Sequence, residues 1–184
     1  MRPTSGRSTT KALEALLQDQ DLAGEWVLDP RISSISLKNK SMWGLVPVNG
    51  QFREIRGHGT VSAGGEVSGT IAVAAASIDT RNTKRDTHLR SADFFDSANN
   101  PDIIFSADGI RPSGQRVTVT GMLTVRDRTR PLTFEAVAIV QGNSEVWLDA
   151  EVHVNQVEFG LTWNLLGTVG SNNTLTIHAV FTRP

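Results

Sequence analysis

From Trp26 onward the chain repeats one pattern, with apolar side chains at every second position over strand-length stretches broken by short polar turns. RVTVTGMLTV sets Val117, Val119, Gly121, Leu123 and Val125 on one face, and RPLTFEAVAIV does so with Leu132, Phe134, Ala136, Ala138 and Val140. EVWLDAEVHV aligns Val146, Leu148, Ala150, Val152 and Val154, and TLTIHAVF aligns Leu175, Ile177, Ala179 and Phe181. An extended strand puts residues i, i+2 and i+4 on one side, so each run predicts a strand with one buried and one wet face. Upstream, Ser33, Ile35 and Leu37 share a face. So do Val46, Val48 and Phe52 up to a disturbance at Asn49-Gly50, and Ile103, Phe105 and Ala107 alternate likewise. GTIAVAAASI is apolar on both faces, which suits a strand buried on two sides or one lining a cavity with small side chains.

Turn signals at Pro112-Ser113-Gly114, Asp127 to Pro131, Gln141-Gly142-Asn143 and Ser171-Asn172-Asn173 separate the runs. About eight strands without helical crossovers predict an all-β, antiparallel, up-and-down sheet, and closure into a barrel removes its edges. A barrel of this size is filled by side chains or holds one small ligand. The inward rows are rich in Val, Ala, Gly and Leu and poor in aromatics, which reads as space along the axis.

One stretch breaks the pattern. Ser77 to Phe105, SIDTRNTKRDTHLRSADFFDSANNPDIIF, is too long and too charged for a hairpin and reads as a lid over one barrel end, with a short helical segment within 77–100. Asp86 is expected to cap that helix by accepting backbone N–H groups. Arg85, Arg90 and Asp93 would then pin the segment by charge-assisted hydrogen bonds, with Phe94 and Phe95 anchored in the barrel mouth. The competing reading makes Asp86 the orienting partner of His88 in an acid–base pair; the structural reading is preferred.

Residues 1–8 are polar and read as a disordered tail, followed by a helix at about 9–22. Thr9 or Thr10 can cap it, Leu13, Leu16 and Leu17 share a face, and Gly24 can stop it. Such a helix could cover a barrel end, touch a membrane surface or pack on the outside of its own domain; the last is preferred.

A length of 184 residues fits one domain, here 9–184. The net charge of −1 provides no global field for nucleic acid, and the absence of Cys excludes disulfides, thiolate metal sites and a Cys nucleophile. No run approaches a transmembrane helix, and the first residues carry no apolar signal core, so the expectation is a cytoplasmic protein unless a leader precedes the chain as given. His58 is read in a Gly-His-Gly turn, and His153 and His178 on the outer face; no short metal-ligand spacing occurs, so no metal is expected. Lys84, Arg85, Arg126, Arg128 and Arg130 form local basic clusters that could meet a phosphate or phenolic head group near a rim, or simply be solvated turns. Neither a nucleophile elbow nor a dinucleotide fingerprint is present.

The order S-I-D-T, then R-D-x-H-L-R-S-x-D-F-F-D, then P-x-I-x-F resembles the YceI-like family of lipocalin-like, polyisoprenoid-binding proteins. Further matches are Trp26 with Asp29-Pro30 and Ser33, Gly50-Gln51-Phe52, Gly121 to Val125, and Phe159-Gly160-Leu161. The resemblance runs from about Trp26 to Phe181. It implies an eight-stranded antiparallel barrel around an apolar tunnel that binds, transports or stores a polyisoprenoid or other long apolar lipid without catalysis. Many relatives are exported. The chain departs from the family pattern at Ile32, at Lys38-Asn39-Lys40, at Asp127 and at Gln156. These departures bear on polar contacts near the tunnel mouth.

The expected tunnel wall comprises Ile35, Leu37, Val46, Phe52, Phe94, Phe95, Ile103, Phe105, Val119, Leu123, Phe134, Ala136, Ala138, Leu148, Phe159, Leu161 and Ile177. Arg85, Asp86, His88 and Arg90 hold the lid. No catalytic residue and no cofactor beyond a bound isoprenoid-like lipid are expected. Two alternatives stay open: a barrel enzyme for a hydrophobic small molecule using His88 and Asp86, and a filled barrel that acts through its surface, with a homodimer as one form.

Overall fold

The computed structural model describes residues 13–15, 17, 18, 20–41, 46–113, 116–162 and 171–184. Among the described residues, eleven strand segments join one sheet. They are β1 Gly24–Leu28, β2 Ser34–Ser41, β3 Val46–Phe52, β4 Ile55–Val61, β5 Val67–Ala74 and β6 Ile78–Asp79, then β7 Asp102–Ser113, β8 Arg116–Val125, β9 Arg128–Gln141, β10 Glu145–Asn155 and β11 Asn172–Thr182.

Six of these segments are halves of three bent strands. β1 pairs β4 while β2 pairs β3, and β4 pairs β5 while β3 pairs β6, so each bend is matched by its neighbour. Backbone bonds continue the ladder at the bends, from Arg53 N to Ser77 O at 3.1 Å and from Ala74 N to Glu54 O at 3.0 Å. Counted as continuous strands, eight follow one another around the barrel in chain order, every pairing antiparallel. β11 closes it by pairing β10 on one edge and both β2 and β1 on the other. This is the closed eight-stranded barrel that the alternation predicts, and closure leaves no long edge to template aggregation.

The strands run further than the turn signals suggest. Asn49-Gly50, read as a disturbance, lies inside β3, and His58, read in a turn, lies inside β4. Pro112 falls within β7 and Pro131 within β9, so the β8–β9 turn shrinks to Arg126-Asp127, with Arg126 at φ 56°. Gly114 lies outside the described residues, as do residues 1–12, so the expected tail and helix start are not described.

Two close approaches set the shape. A side chain at Gly121 would strike the Ser106 carbonyl oxygen, and its Cβ would come within 2.8 Å of the Phe105 ring. Phe105 lies over this glycine and packs against Phe134, ring centroids 5.5 Å apart. Beside it the β7–β8 register shifts between Ala107 and Gly109, a bulge that turns Ile110 toward the interior.

The inner rows form a core of buried residues including Trp26, Ile35, Phe52, Phe95, Leu123, Phe159 and Phe181. A smaller cluster, Val117, Val119 and Ala136, joins it along the wall. The two barrel ends are covered differently. One end carries the lid, which leaves the sheet after β6 and returns at β7. At the other, helical residues 13–15, 17 and 18 reach the β4–β5 turn, where the Leu17 carbonyl oxygen lies 2.8 Å from the place a Cβ on Gly65 would take.

Candidate functional site

Inside the barrel lies a cavity of about 390 Å³. Its wall is made by the inward rows: every residue of the Leu132–Val140, Val146–Val154 and Leu175–Phe181 alternations lines it. All the residues expected to form the wall line it except Val46, whose side chain lies outside the described residues. Several inward side chains, among them Leu148, Ala150 and Ile177, are only half-buried although they point away from bulk solvent, because they face empty space. Ala136, by contrast, is 1 % exposed and packed against Val117 and Val119, so the row does not open uniformly.

The N-terminal helix bears on the interior rather than the outer wall. Leu13 and Leu17 line the cavity and pack against the two core clusters, which corrects the expectation of a helix on the outside. Leu16 lies outside the described residues. Arg183 stacks over Trp26 at 5.0 Å and donates to the carbonyls of Asp21, Ala23 and Asn143, tying the chain's last residues to the segment after the helix.

The lid is held by a network centred on Thr80. Its helix spans Thr83–Arg90, and the cap is Asn82, whose side chain accepts from Arg85 N at 3.0 Å. Asp86, expected to be the cap, sits in the first turn, where its carboxylate reaches back out of the helix. It accepts from Thr80 N at 2.9 Å and Thr80 Oγ1 at 2.6 Å, and it is 7 % exposed. Arg85 Nε donates to Thr80 Oγ1 at 2.7 Å and Nη2 to Thr80 O at 2.9 Å, while Arg90 Nη2 donates to Ile78 O at 2.8 Å. Asp93 is exposed and makes none of these bonds; Asp96 instead accepts from Asn99 and Asn100 to close the lid's second half. Phe95 is buried edge-on to Phe94 at 4.8 Å, and Arg126 Nη1 donates to Phe94 O at 3.2 Å, pinning the lid to the β8–β9 turn.

His88 lines the cavity, but the Asp86 carboxylate is directed to Thr80 and makes no bond to it. Positions two apart on a helix do not face each other. His153 and His178 lie on the outer wall; His178 Nδ1 meets Asp149 Oδ1 at 2.5 Å, and His153 Nδ1 meets Thr174 Oγ1 at 3.2 Å. Among the described residues no group of three or more His, Asp or Glu converges as a metal site.

The alternation did not single out three lining residues. Asn39, Asn173 and Gln156 are buried at the lid end of the cavity and hydrogen-bond in a chain, Asn39 Nδ2 to Asn173 Oδ1 at 2.7 Å and Asn173 Nδ2 to Gln156 Oε1 at 3.1 Å. The signal was available, since each is the next inward step beyond an apolar row. Asn39 follows Ile35 and Leu37, Asn173 precedes Leu175 and Ile177, and Gln156 follows Val152 and Val154. Gln156 opens a 3₁₀ turn, Gln156–Phe159, that ends at Gly160 in the left-handed region with φ 72°.

Curated relatives include Protein YceI of Escherichia coli O6:H1, 40 % identical over 73 residues, or 40 % of this chain and 38 % of that protein. The Salmonella arizonae Protein YceI is 32 % identical over 101 residues, 52 % of each chain. The match thus spans about two fifths to one half of these relatives' length. Among solved structures, Burkholderia cenocepacia BcnA has the same fold, with a TM-score of 0.75 at 21 % identity over 83 % of this chain and 98 % of that one. A polyisoprenoid binding domain from Saccharophagus degradans, implicated in plant cell wall breakdown, superposes with a TM-score of 0.70 at 12 % identity, covering 86 % and 98 %. Among the described residues no helix is long and apolar enough to cross a membrane. The YceI-like domain profile matches residues 26–181, nearly the whole barrel and its lid, and the chain belongs to that family.

Proposed function

We propose that the barrel binds a long apolar lipid of isoprenoid type in its cavity and carries or stores it without chemical change. The observation that carries this reading is the cavity itself, about 390 Å³ with an almost wholly apolar wall. Its size falls within the roughly 300–1,000 Å³ typical of ligand pockets. An apolar chain entering it gains about 25 cal/mol per Å² removed from water, less the cost of immobilising it. Binding of this kind needs few polar groups and selects by length and width. The polyisoprenoid binding described for the Saccharophagus degradans domain, which shares the fold, is consistent with the reading.

The enzyme alternative is weaker because its acid–base pair is not assembled: Asp86 is committed to Thr80. The filled-barrel alternative is weaker because inward residues such as Leu148 and Ile177 are left half-buried. The test is displacement of the fluorophore anilinonaphthalene sulfonate from the purified, delipidated chain by a prenyl alcohol. The expected result is saturable displacement at one site per chain. Fluorophore binding that no long-chain alcohol competes away would overturn the reading.

A further inference from the structure

We propose that the N-terminal helix is the stop that sets the length of the lipid's tail, with Leu13 and Leu17 meeting its last carbons. This inference rests on the lipid-binding reading and adds the residues that select among ligands of that class.

The helix lies outside the stretch that the family profile matches, which begins at Trp26, so its effect on the cavity follows from this chain's own residues. Leu13 and Leu17 stand four apart and share one helix face, while Glu14, Ala15 and Gln18 are exposed. Leu17 packs against the larger core cluster and Leu13 against the smaller one, so the pair spans the barrel end, and both side chains line the cavity. Leu22, Trp26, Val61 and Val67 complete the wall beneath the helix. Trp26 Nε1, the only side-chain donor among these six, is taken by the Leu22 carbonyl at 2.9 Å. A polar group brought to this end would lose its water without replacement, whereas a hydrocarbon end needs no partner.

The stop is fixed in place. The missing side chain of Gly65 lets the Leu17 carbonyl oxygen come to 2.8 Å from the position a Cβ would take there. Behind the helix, Arg183 donates to the carbonyls of Asp21 and Ala23 and stacks over Trp26, and Ala23 N donates to Gln20 O at 3.0 Å. At about 30 Å³ for each water-sized group, the cavity volume of about 390 Å³ takes about thirteen such groups, close to a tail of about three isoprene units. In a tunnel open at both ends, each added isoprene unit would bury more apolar surface and bind more tightly. Against a fixed end that gain ceases once the tail touches Leu13 and Leu17. A longer tail has to fold back, leave a segment in water or displace the helix.

The test uses the full delipidated chain and three prenyl alcohols that share one head group, geraniol, farnesol and geranylgeraniol, with affinities from fluorophore displacement. In the wild-type chain affinity should peak at farnesol, with geranylgeraniol about tenfold weaker, the scale of the apolar burial that one misplaced isoprene unit forfeits. In the double variant Leu13→Ala/Leu17→Ala the peak should move to geranylgeraniol, and in Leu17→Trp it should move to geraniol. Gln18→Ala, on the exposed face, should leave the order unchanged. A merely structural role for the two leucines would weaken all three alcohols alike, and that result overturns the inference. So does a wild-type affinity that rises from farnesol to geranylgeraniol, a comparison that stands even where a variant fails to fold. Binding without an optimum in length sinks the inference alone, whereas failure of all three alcohols to bind sinks the lipid reading with it.

Discussion

Ala136 and Ala150 face each other across the β9–β10 ladder and both point inward, yet Ala136 is buried between Val117 and Val119 while Ala150, at the edge of that cluster, is only half-buried on the cavity. Replacing each by Trp in turn tests whether the cavity is real. At Ala136, 1 % exposed against Val117 and Val119, the indole has no room, and overpacking of this kind costs about 1–3 kcal/mol or more. For a chain of this size each kcal/mol moves Tm by about 2–4 °C, so the expected fall is roughly 2–12 °C. At Ala150 the indole enters a cavity of about 390 Å³. It adds roughly 150 Å² of apolar surface to be buried, at most about 4 kcal/mol at 25 cal/mol per Å², and ordering the ring and imperfect contact subtract from that. Stability should therefore hold or rise by up to about 2 kcal/mol, while prenyl alcohol binding is lost because the indole occupies the ligand's path. The assays are thermal unfolding and fluorophore displacement on the same samples. If both variants lose the same stability, the barrel is filled and the reasoning fails. If Ala150→Trp binds prenyl alcohol as the wild type does, the ligand lies elsewhere.

Gly121→Ala should destabilise by about 1–3 kcal/mol or more, because its Cβ meets the Phe105 ring at 2.8 Å and the β7 backbone; chemical denaturation measures this, and an unchanged midpoint contradicts the close-packed geometry. Asp86→Ala strips both Thr80 donors of a buried acceptor and should cost about 1–3 kcal/mol, with new protease cleavage within residues 80–100; Asn82→Ala should cost about 1 kcal/mol through the cap alone. A larger loss in Asn82→Ala than in Asp86→Ala would reverse the assigned roles. The hydrogen bonds from the Arg31 side chain and backbone hold the Asp29 carboxyl down at about 2. A folded pKa below the unfolded one means that any stabilisation is present at neutral pH and is lost as pH falls from about 4 toward 2. Carboxyl NMR should show Asp29 titrating near that value, and in Arg31→Gln it should move up toward the ordinary Asp range.

The barrel was legible because alternation is a direct consequence of strand geometry. The rows through β8 to β11 name residues that line the cavity at every position but Gly121, since a period of two admits no intermediate assignment. Strand ends were harder. Pro112 and Pro131 signal turns on propensity, yet ladder pairing to Val117 and Met122 carries both into strands. Asn49-Gly50 and the Gly57-His58-Gly59 run were overridden in the same way by tertiary pairing to β2, β1 and β5. The lid helix was expected, but its cap was misassigned because Asn82 and Asp86 are both capping residue types and only the backbone shows that the helix starts at Thr83. Leu13 and Leu17 gave an amphipathic stripe that suits an outer wall as well as a barrel end, and nothing local separates the two. Asn39 and Gln156 stood out only as departures from the family pattern, and their chain through Asn173 stayed unseen because apolar rows were followed only as far as they stayed apolar. Extending the period by one step reaches Asn39, Asn173 and Gln156.

Native mass spectrometry of the chain purified under gentle conditions, followed by organic extraction and lipid mass analysis, addresses the central claim most directly. The account predicts a species heavier than the bare chain by one long apolar molecule, released on denaturation and absent from Ala150→Trp. A bare chain that also takes up no prenyl lipid when one is offered would contradict it.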